Sequence, residues 1–406
     1  MPKDIHDTER SYKTGLETFQ KDSRISAHNK EIFAKFLEDC KIGYFGEAVG
    51  TARLNKYLYH YKQVCIWLGK DIQKENSLED IKGLAKNIDQ ADFSVNTKRD
   101  YRIFMKKFWK WLNGEEWVIK NLKWLKTTTK HSQETLPEDL PSEEEVMAMI
   151  EAAKSTRDKF FLSFLYESAA RISEAGNLRF KDLHIHDGDS EVKLKGKTGE
   201  RIVPIFGCAP LARQYLATAP FKNNLEAAVF NNGQTTEPMS YTMLCKIIRK
   251  AMVRAGITKH GNPHIFRHAR LTWLAGNGNF NEAMLCAFAG WRIGSPMART
   301  YVHLSKKNLQ DALRRVSVKD SKPLEPIKSA LSAIQCRICG LENSAGSGFC
   351  EKCGNALTSE ALQAERSKRE KVNAEQQRKF FDDIINQRFE TLEKKMEELL
   401  KAKSAG

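Results

Sequence analysis

Apolar residues recur at helical spacing over most of the chain, so the expected fold class is mainly α with a small β-hairpin or sheet. Residues 1–22 are polar and read as a flexible N-terminus. From about Ser23 to Trp124 the pattern is helical, with basic and aromatic residues interleaved. Its clearest helix begins after Asn96 and Thr97, placing Tyr101, Phe104, Met105, Phe108, Trp111 and Leu112 on one stripe. A polar, twice proline-interrupted break spans 127–141, and Ser142 to Glu145 then has the Ser-x-x-Glu spacing of a capping box ahead of an apolar helix. Helices run to about Leu178, two short strands around a glycine-containing turn occupy Ser190 to Ile205, and helices resume to about Val316. A second linker covers 319–332, with prolines at 323 and 326. From 357 the chain is highly charged and helical. There Ile385, Phe389, Leu392, Met396 and Leu399 repeat at 4, 3, 4, 3, a possible coiled-coil seam of about two heptads, which a helix docked on its own protein explains equally well. This predicts a helical unit over 23–126, a larger one over 142–318, a small unit over 333–356 and a helical tail over 357–406.

Charge adds a partner. The 406 residues carry 66 Lys and Arg against 51 Asp and Glu, a formal net charge of +15, which favours a polyanion. Basic residues on the 98–110 helix suit phosphate contact, though a solvated face explains them equally. No apolar run approaches the ~18–20 residues that cross a bilayer, and the stretch Met1 to Asp7 has no apolar core of a secretory signal. Nucleic acid is therefore the expected partner, with no membrane, in a cytoplasmic, DNA-associated setting.

Of nine cysteines, five are scattered singly and read as reduced core thiols, while Cys336, Cys339, Cys350 and Cys353 form two Cys-x-x-Cys-Gly knuckles ten residues apart. Each knuckle aims two thiolates at one ion, and the glycine after it accommodates the backbone that the turn requires. One structural zinc in a closed four-sulfur shell is the expectation, in a unit separate from catalysis. Two disulfides are the alternative, disfavoured without an export signal.

The chemistry lies between 171 and 301. Five strings appear in order: Ala170-Arg171-Ile-Ser-Glu174, Gly196-Lys197-Thr-Gly-Glu-Arg-Ile-Val-Pro204, Pro263-His264-Ile-Phe-Arg267-His268, Gly290-Trp291, and Ala298-Arg-Thr-Tyr301-Val-His-Leu304. Together they resemble the catalytic domain of tyrosine recombinases, the phage integrase family. The resemblance covers roughly 23–318, by pattern alone in its N-terminal part, where it implies a core-binding DNA-binding domain. The overall layout resembles integrases of archaeal viruses or mobile elements, with a C-terminal zinc ribbon added. Gly196-Lys197-Thr198 lacks the earlier glycine of a P-loop, so no nucleotide site is expected.

The resemblance implies a site-specific recombinase that cleaves and rejoins DNA through a 3′-phosphotyrosine, with no cofactor or metal in the chemical step. Tyr301 would attack phosphorus. Arg171 and Arg267, with planar forks matched to phosphate oxygens, would stabilise the charge that builds there. His264, one turn before Arg267, would position the phosphate and handle the tyrosine proton. Lys197 would protonate the leaving 5′-oxygen, Trp291 would offer its indole N–H, and Glu174 would orient Arg171. His268 and His303 are read as structural. Taken singly, each of these residues has an ordinary structural reading; it is the ordered set that points to catalysis. The partners so implied are double-stranded recombination sites and further copies of the chain, a tetramer of paired dimers. Type IB topoisomerase-like relaxation is one alternative; a catalytically silent DNA-binding regulator is the other, against which the intact Arg-Lys-His-Arg-Tyr set speaks.

Overall fold

The computed structural model describes residues 5–44, 46–73, 78–128, 139–186, 188–196, 199–259, 261–276, 280–302 and 329–403. Helices α1 (Thr8–Lys21), α2 (Ala27–Ile42), α3 (Thr51–Leu68), α4 (Leu78–Gln90), α5 (Val95–Asn113) and α6 (Glu115–Leu122) form an N-terminal helical body. Its core is aromatic: Phe33 stacks on Tyr61 at 4.1 Å, and Phe36 meets Phe108 edge-on at 5.2 Å. In α5 the expected stripe faces inward, with Tyr101, Phe104, Met105 and Phe108 buried and Trp111 and Leu112 packed at the margin. Several basic residues of α5 are engaged within the chain: Lys98 donates to the Asp89 carbonyl, Arg102 pairs with Asp89, and Lys110 with Glu115.

The expectation of a flexible segment over 1–22 is corrected. Tyr12 and Phe19 of α1 are buried in the N-terminal core, so this body begins at α1 rather than at Ser23. Ile5, just ahead of α1, is instead buried in the second core, where its carbonyl accepts from the Tyr241 amide at 2.9 Å. Two widely spaced aromatics in a polar stretch are too weak a periodicity to read from sequence.

The second body comprises α7 (Glu143–Ala152), α8 (Thr156–Glu167), α9 (Ile172–Gly176), strands β1 (Leu183–His184), β2 (Glu191–Gly196) and β3 (Gly199–Pro204), then α10 (Ala209–Thr218), α11 (Tyr241–Arg254), α12 (His264–Gly276), α13 (Glu282–Ala289) and α14 (Pro296–Val302). The Ser142 capping box is present, its hydroxyl accepting from the Glu145 amide while the Glu145 carboxylate accepts from the Ser142 amide. Strands β2 and β3 form the expected antiparallel hairpin, in register from Glu191 opposite Pro204 to Gly196 opposite Gly199, and β1 adds an edge. The core of this body is built on Phe160, Phe161, Phe164 and Phe230. A smaller cluster of Ala169, Leu271, Leu274, Ala275, Leu285, Ala289 and Tyr301 lies beneath the candidate site.

Beyond the undescribed stretch, residues 329–358 form a small knuckle unit with the strand pair β4 (Ile334–Gln335) and β5 (Glu342–Asn343). This unit is seated on the second body, across the linker expected over 319–332. Leu331 is buried in that body's core, and its carbonyl approaches Gly207 so closely that a Cβ there would stand 2.4 Å away. The Glu143 carboxylate accepts from the Ser329 hydroxyl at 2.5 Å and the Ala330 amide at 2.9 Å, and Arg213 donates to the Glu342 carbonyl at 2.9 Å. A proline-flanked linker says where two units part in sequence; it carries no information on whether their surfaces fit. The tail is one helix, α15 (Ser359–Lys403), on which Phe380, Phe381, Ile385 and Phe389 are exposed. The side chains of Leu392, Met396 and Leu399 lie outside the described residues. Among the described residues no helix is long and apolar enough to cross a membrane.

Candidate active site

Four local structures build the site. The first is the exit from α8, where Ala169 adopts φ +47°, a left-handed conformation costly for a residue with a Cβ. That turn is fixed by the Ser168 hydroxyl, which donates to the Phe164 carbonyl and accepts from the Ala170 amide. It presents Arg171 at the N-terminus of α9. Glu174, one turn on, accepts from the Arg171 amide at 2.9 Å and from Arg171 Nη1 at 2.7 Å.

The second is the hairpin. Arg201 on β3 donates through Nη2 to Glu174 Oε2 at 2.9 Å and through Nε to the Phe288 carbonyl at 3.0 Å. Glu174 thus joins two guanidinium groups while its own side chain has no solvent exposure. Burial alone would raise its pKa, but the bonds from Arg201 and Arg171 prevail and hold it down at about 2. Gly196 closes the hairpin against this carboxylate, and a Cβ there would sit 2.4 Å from Glu174 Oε1. Lys197, at the hairpin tip, lies outside the described residues.

The third is α12, which Asn262 caps by accepting from the Ile265 amide. His264, Arg267 and His268 fall at i, i+3 and i+4 and therefore share a face. Arg267 is buried, with Nη1 donating to the Ala169 carbonyl at 2.6 Å and Nη2 to the Ala289 carbonyl at 2.7 Å. Burial, followed by the nearby Arg171 cation, lowers its pKa to about 10, which still leaves it charged at neutral pH. His264 is open to solvent on its outer side. The crowding of its inner side and the charges of Arg267 and Arg171 lower its pKa.

The fourth is the turn from α13 into α14. Gly290 ends α13 at φ +68°, and a Cβ there would meet Arg201 Nη1 at 2.9 Å. Trp291 then lies between Arg267 and Tyr301, its ring 5.2 Å from the guanidinium carbon and 5.7 Å, at 19°, from the tyrosine ring. Tyr301 is 4 % exposed, and its hydroxyl is 2.5 Å from His268 Nδ1. Burial raises its pKa to about 12.

Arg171, Glu174, Arg267, Trp291 and Tyr301 therefore converge, with His264 at the rim. Two residues of this constellation were not expected from sequence. Arg201 stood within the Gly196–Pro204 string, and only the packing of the β2–β3 hairpin against α9 reveals its partner. His268, read as structural, is the residue that touches the Tyr301 hydroxyl. Its position one turn from His264 was the available signal. His303 lies outside the described residues.

The four knuckle cysteines also converge, with all Sγ atoms within 4.8 Å of one another. Backbone amides of Ile338 and Cys339 point at the Cys336 sulfur, and those of Lys352 and Cys353 at Cys350. Gly340 and Gly354 adopt φ +73° and +70° directly after the second cysteine of each pair. Four sulfurs, amides directed at them and the absence of any oxygen donor in the set suit a structural metal of the zinc type.

Residues 141–308 match the phage integrase family. Tyrosine recombinase XerD of Oceanobacillus iheyensis is 29% identical over 244 residues, covering 58% of this chain and 80% of that protein. XerD of Listeria monocytogenes is 24% identical over 286 residues, covering 66% and 93%. Two solved structures share the fold. One is XerH site-specific recombinase bound to its palindromic difH substrate in a post-cleavage complex, with TM-score 0.53, 17% identity, and 77% of this chain and 97% of that one covered. The other is a lambda integrase dimer bound to a COC′ core site, with TM-score 0.51, 13% identity and coverages of 70% and 80%.

Proposed function

We infer, from the phage integrase family match of residues 141–308 and the tyrosine recombinase relatives of the chain, that it is a site-specific tyrosine recombinase. The residue roles are our own reading. The observation that carries them is the contact set of Tyr301, Trp291 and Arg267 beside the Arg171–Glu174–Arg201 group. Tyr301 attacks the scissile phosphorus, the 5′-oxygen leaves, and a 3′-phosphotyrosine forms. Arg171 and Arg267 stabilise the non-bridging oxygens. The hydrogen bonds described above use one of the five N–H donors of Arg171 and two of those of Arg267, and the remaining donors suit phosphate. Glu174 and Arg201 hold Arg171 in place. His264 and the Trp291 indole N–H complete the phosphate's surroundings, and Lys197 protonates the leaving oxygen.

The DNA so processed is a double-stranded recombination site, bound by several copies of the chain. The zinc held by Cys336, Cys339, Cys350 and Cys353 is structural, because a closed four-sulfur shell offers no position to substrate. The added ribbon and tail support a place among integrases of mobile elements, including those of archaeal viruses, and exposed Phe380, Phe381, Ile385 and Phe389 suit self-association through the tail. The decisive test is the covalent adduct. Sequencing DNA retained on the wild-type protein identifies the site, and Tyr301→Phe is then incubated with a nicked duplex bearing it. Adduct should vanish while binding persists, since one hydroxyl is removed; adduct at wild-type levels overturns the assignment.

A further inference from the structure

We propose that His268 is the general base for Tyr301: its Nδ1 holds the phenolic hydroxyl and takes the proton as the oxygen attacks phosphorus. The inference rests on Tyr301 being the nucleophile. It goes beyond that reading by moving the proton from His264, to which the family resemblance assigns it, to the next histidine on the same face of α12.

Geometry carries the argument. A general base must lie within hydrogen-bond reach of the proton it removes, and His268 Nδ1 is 2.5 Å from the Tyr301 oxygen. The two rings are near-parallel at 27°, with centroids 5.8 Å apart, so the contact runs along their edges. Trp291 stacks on the tyrosine ring, and Tyr301 is buried. His264, whose ring is 6.5 Å from that of His268, stands nearer solvent and is suited to a phosphate oxygen.

The surroundings keep the base ready. Burial first, then His264 and Arg267, lower the pKa of His268, which favours the neutral ring, the form able to accept a proton. Among the described residues, the charged and titratable groups that reach it are His264 and Arg267 on its own helix and Tyr301 on α14. Without a base, a buried phenol held near 12 would contribute almost no phenolate. With His268, the Tyr301 O–H bond breaks toward Nδ1 as the oxygen–phosphorus bond forms and the bond to the 5′-oxygen breaks. That oxygen takes its proton from a separate donor, the role given above to Lys197. On rejoining, His268 returns its proton to the tyrosine.

The experiment compares full-length wild type, His268→Asn, Lys197→Ala and Tyr301→Phe in single-turnover cleavage from pH 6 to 9. The substrate is the nicked recombination-site duplex, in its normal form and with sulfur replacing the bridging 5′-oxygen at the scissile phosphate. Asparagine keeps an acceptor near the hydroxyl but cannot take a proton. His268→Asn should lose about 100-fold or more, its residual rate should rise about tenfold per pH unit as phenolate forms, and the sulfur substrate should not restore it. Lys197→Ala should be restored by sulfur, which leaves without a proton. Cleavage by His268→Asn at the wild-type rate overturns the proposal, as does a loss whose pH profile stays parallel to wild type, the signature of a packing defect. If Tyr301→Phe still forms adduct, the nucleophile assignment fails instead, and the two failures are distinct.

Discussion

Replacing Glu174 by glutamine tests whether the site depends on one buried carboxylate. The side chain is fully enclosed and accepts from Arg171 Nη1 at 2.7 Å and Arg201 Nη2 at 2.9 Å. Its pKa falls from 4.5 to about 2 on folding, and at about 1.4 kcal/mol per pH unit that shift corresponds to about 3 kcal/mol favouring the ionised form in the folded state. Because the folded pKa is depressed, this contribution is complete above the unfolded value of about 4.5. It is lost as pH falls toward 2. Glutamine keeps the shape and removes the charge, leaving two partly buried guanidinium groups short of a counter-ion, a change of the kind that costs about 3–5 kcal/mol. Urea unfolding of both proteins, followed by tryptophan fluorescence at pH 7, 5 and 3.5, should show a deficit of about 3 kcal/mol at pH 7 and 5 that narrows at pH 3.5. Cleavage should fall as well, since Arg171 loses its orienting partner. A deficit within about 0.5 kcal/mol, the range of ordinary surface substitutions, or one independent of pH, would refute the coupling.

Gly196→Ala should act on the same carboxylate from the other side, since its Cβ would meet Glu174 Oε1 at 2.4 Å. A loss of about 1–3 kcal/mol and weaker cleavage are expected in a thermal melt and an adduct assay, whereas alanine at Gly83, where a Cβ meets nothing within 4 Å, should leave cleavage intact. Elemental analysis should find one zinc per chain, lost on Cys336→Ser. Ending the chain after 358 should leave cleavage and stability near wild type. Ending it after 320 should cost about 1.5–3 kcal/mol for Leu331 alone, as its burial and the Ser329 and Ala330 bonds to Glu143 disappear; equal stability of the two truncations would show that the seating does not contribute.

Local signals were legible where one residue's chemistry dictates one structure. The Ser142–Glu145 box, the 191–204 hairpin, the α5 stripe and the knuckle glycines each follow from rules that span fewer than twenty residues. The site residues were legible as an ordered set of strings, and Arg171, Glu174, Arg267, Trp291 and Tyr301 do meet. What escaped depends on packing across long separations. Arg201 finds Glu174 only because the β2–β3 hairpin packs against α9 through β2, and His268 acquires a role only because α14 returns across α12. Ile5, in a stretch read as flexible, and Leu331, in one read as a linker, are both buried in the core of the second body. One-dimensional periodicity cannot register such burial.

The described residues on either side of 303–328 are each packed on the second body. At one end the Tyr301 ring is packed with Leu271, Leu274 and Trp291, beside Trp273. At the other, Ser329 and Ala330 are bonded to Glu143. Arg270 connects the two anchors: its guanidinium carbon lies 4.7 Å from the Trp273 ring centre and 5.4 Å from that of Tyr166, and Nη1 reaches Glu143 at 3.7 Å. Arg270 is three residues from Arg267 on α12, so the helix that presents Arg267 and His268 also carries the tie to the knuckle unit. The four cysteines lie in a unit too short to bury a core of its own, and that unit is seated on α10 and α7. Leu331 lies against Gly207, and through Glu143 and Arg270 the knuckle unit is tied to α12, the helix that carries Arg267 and His268.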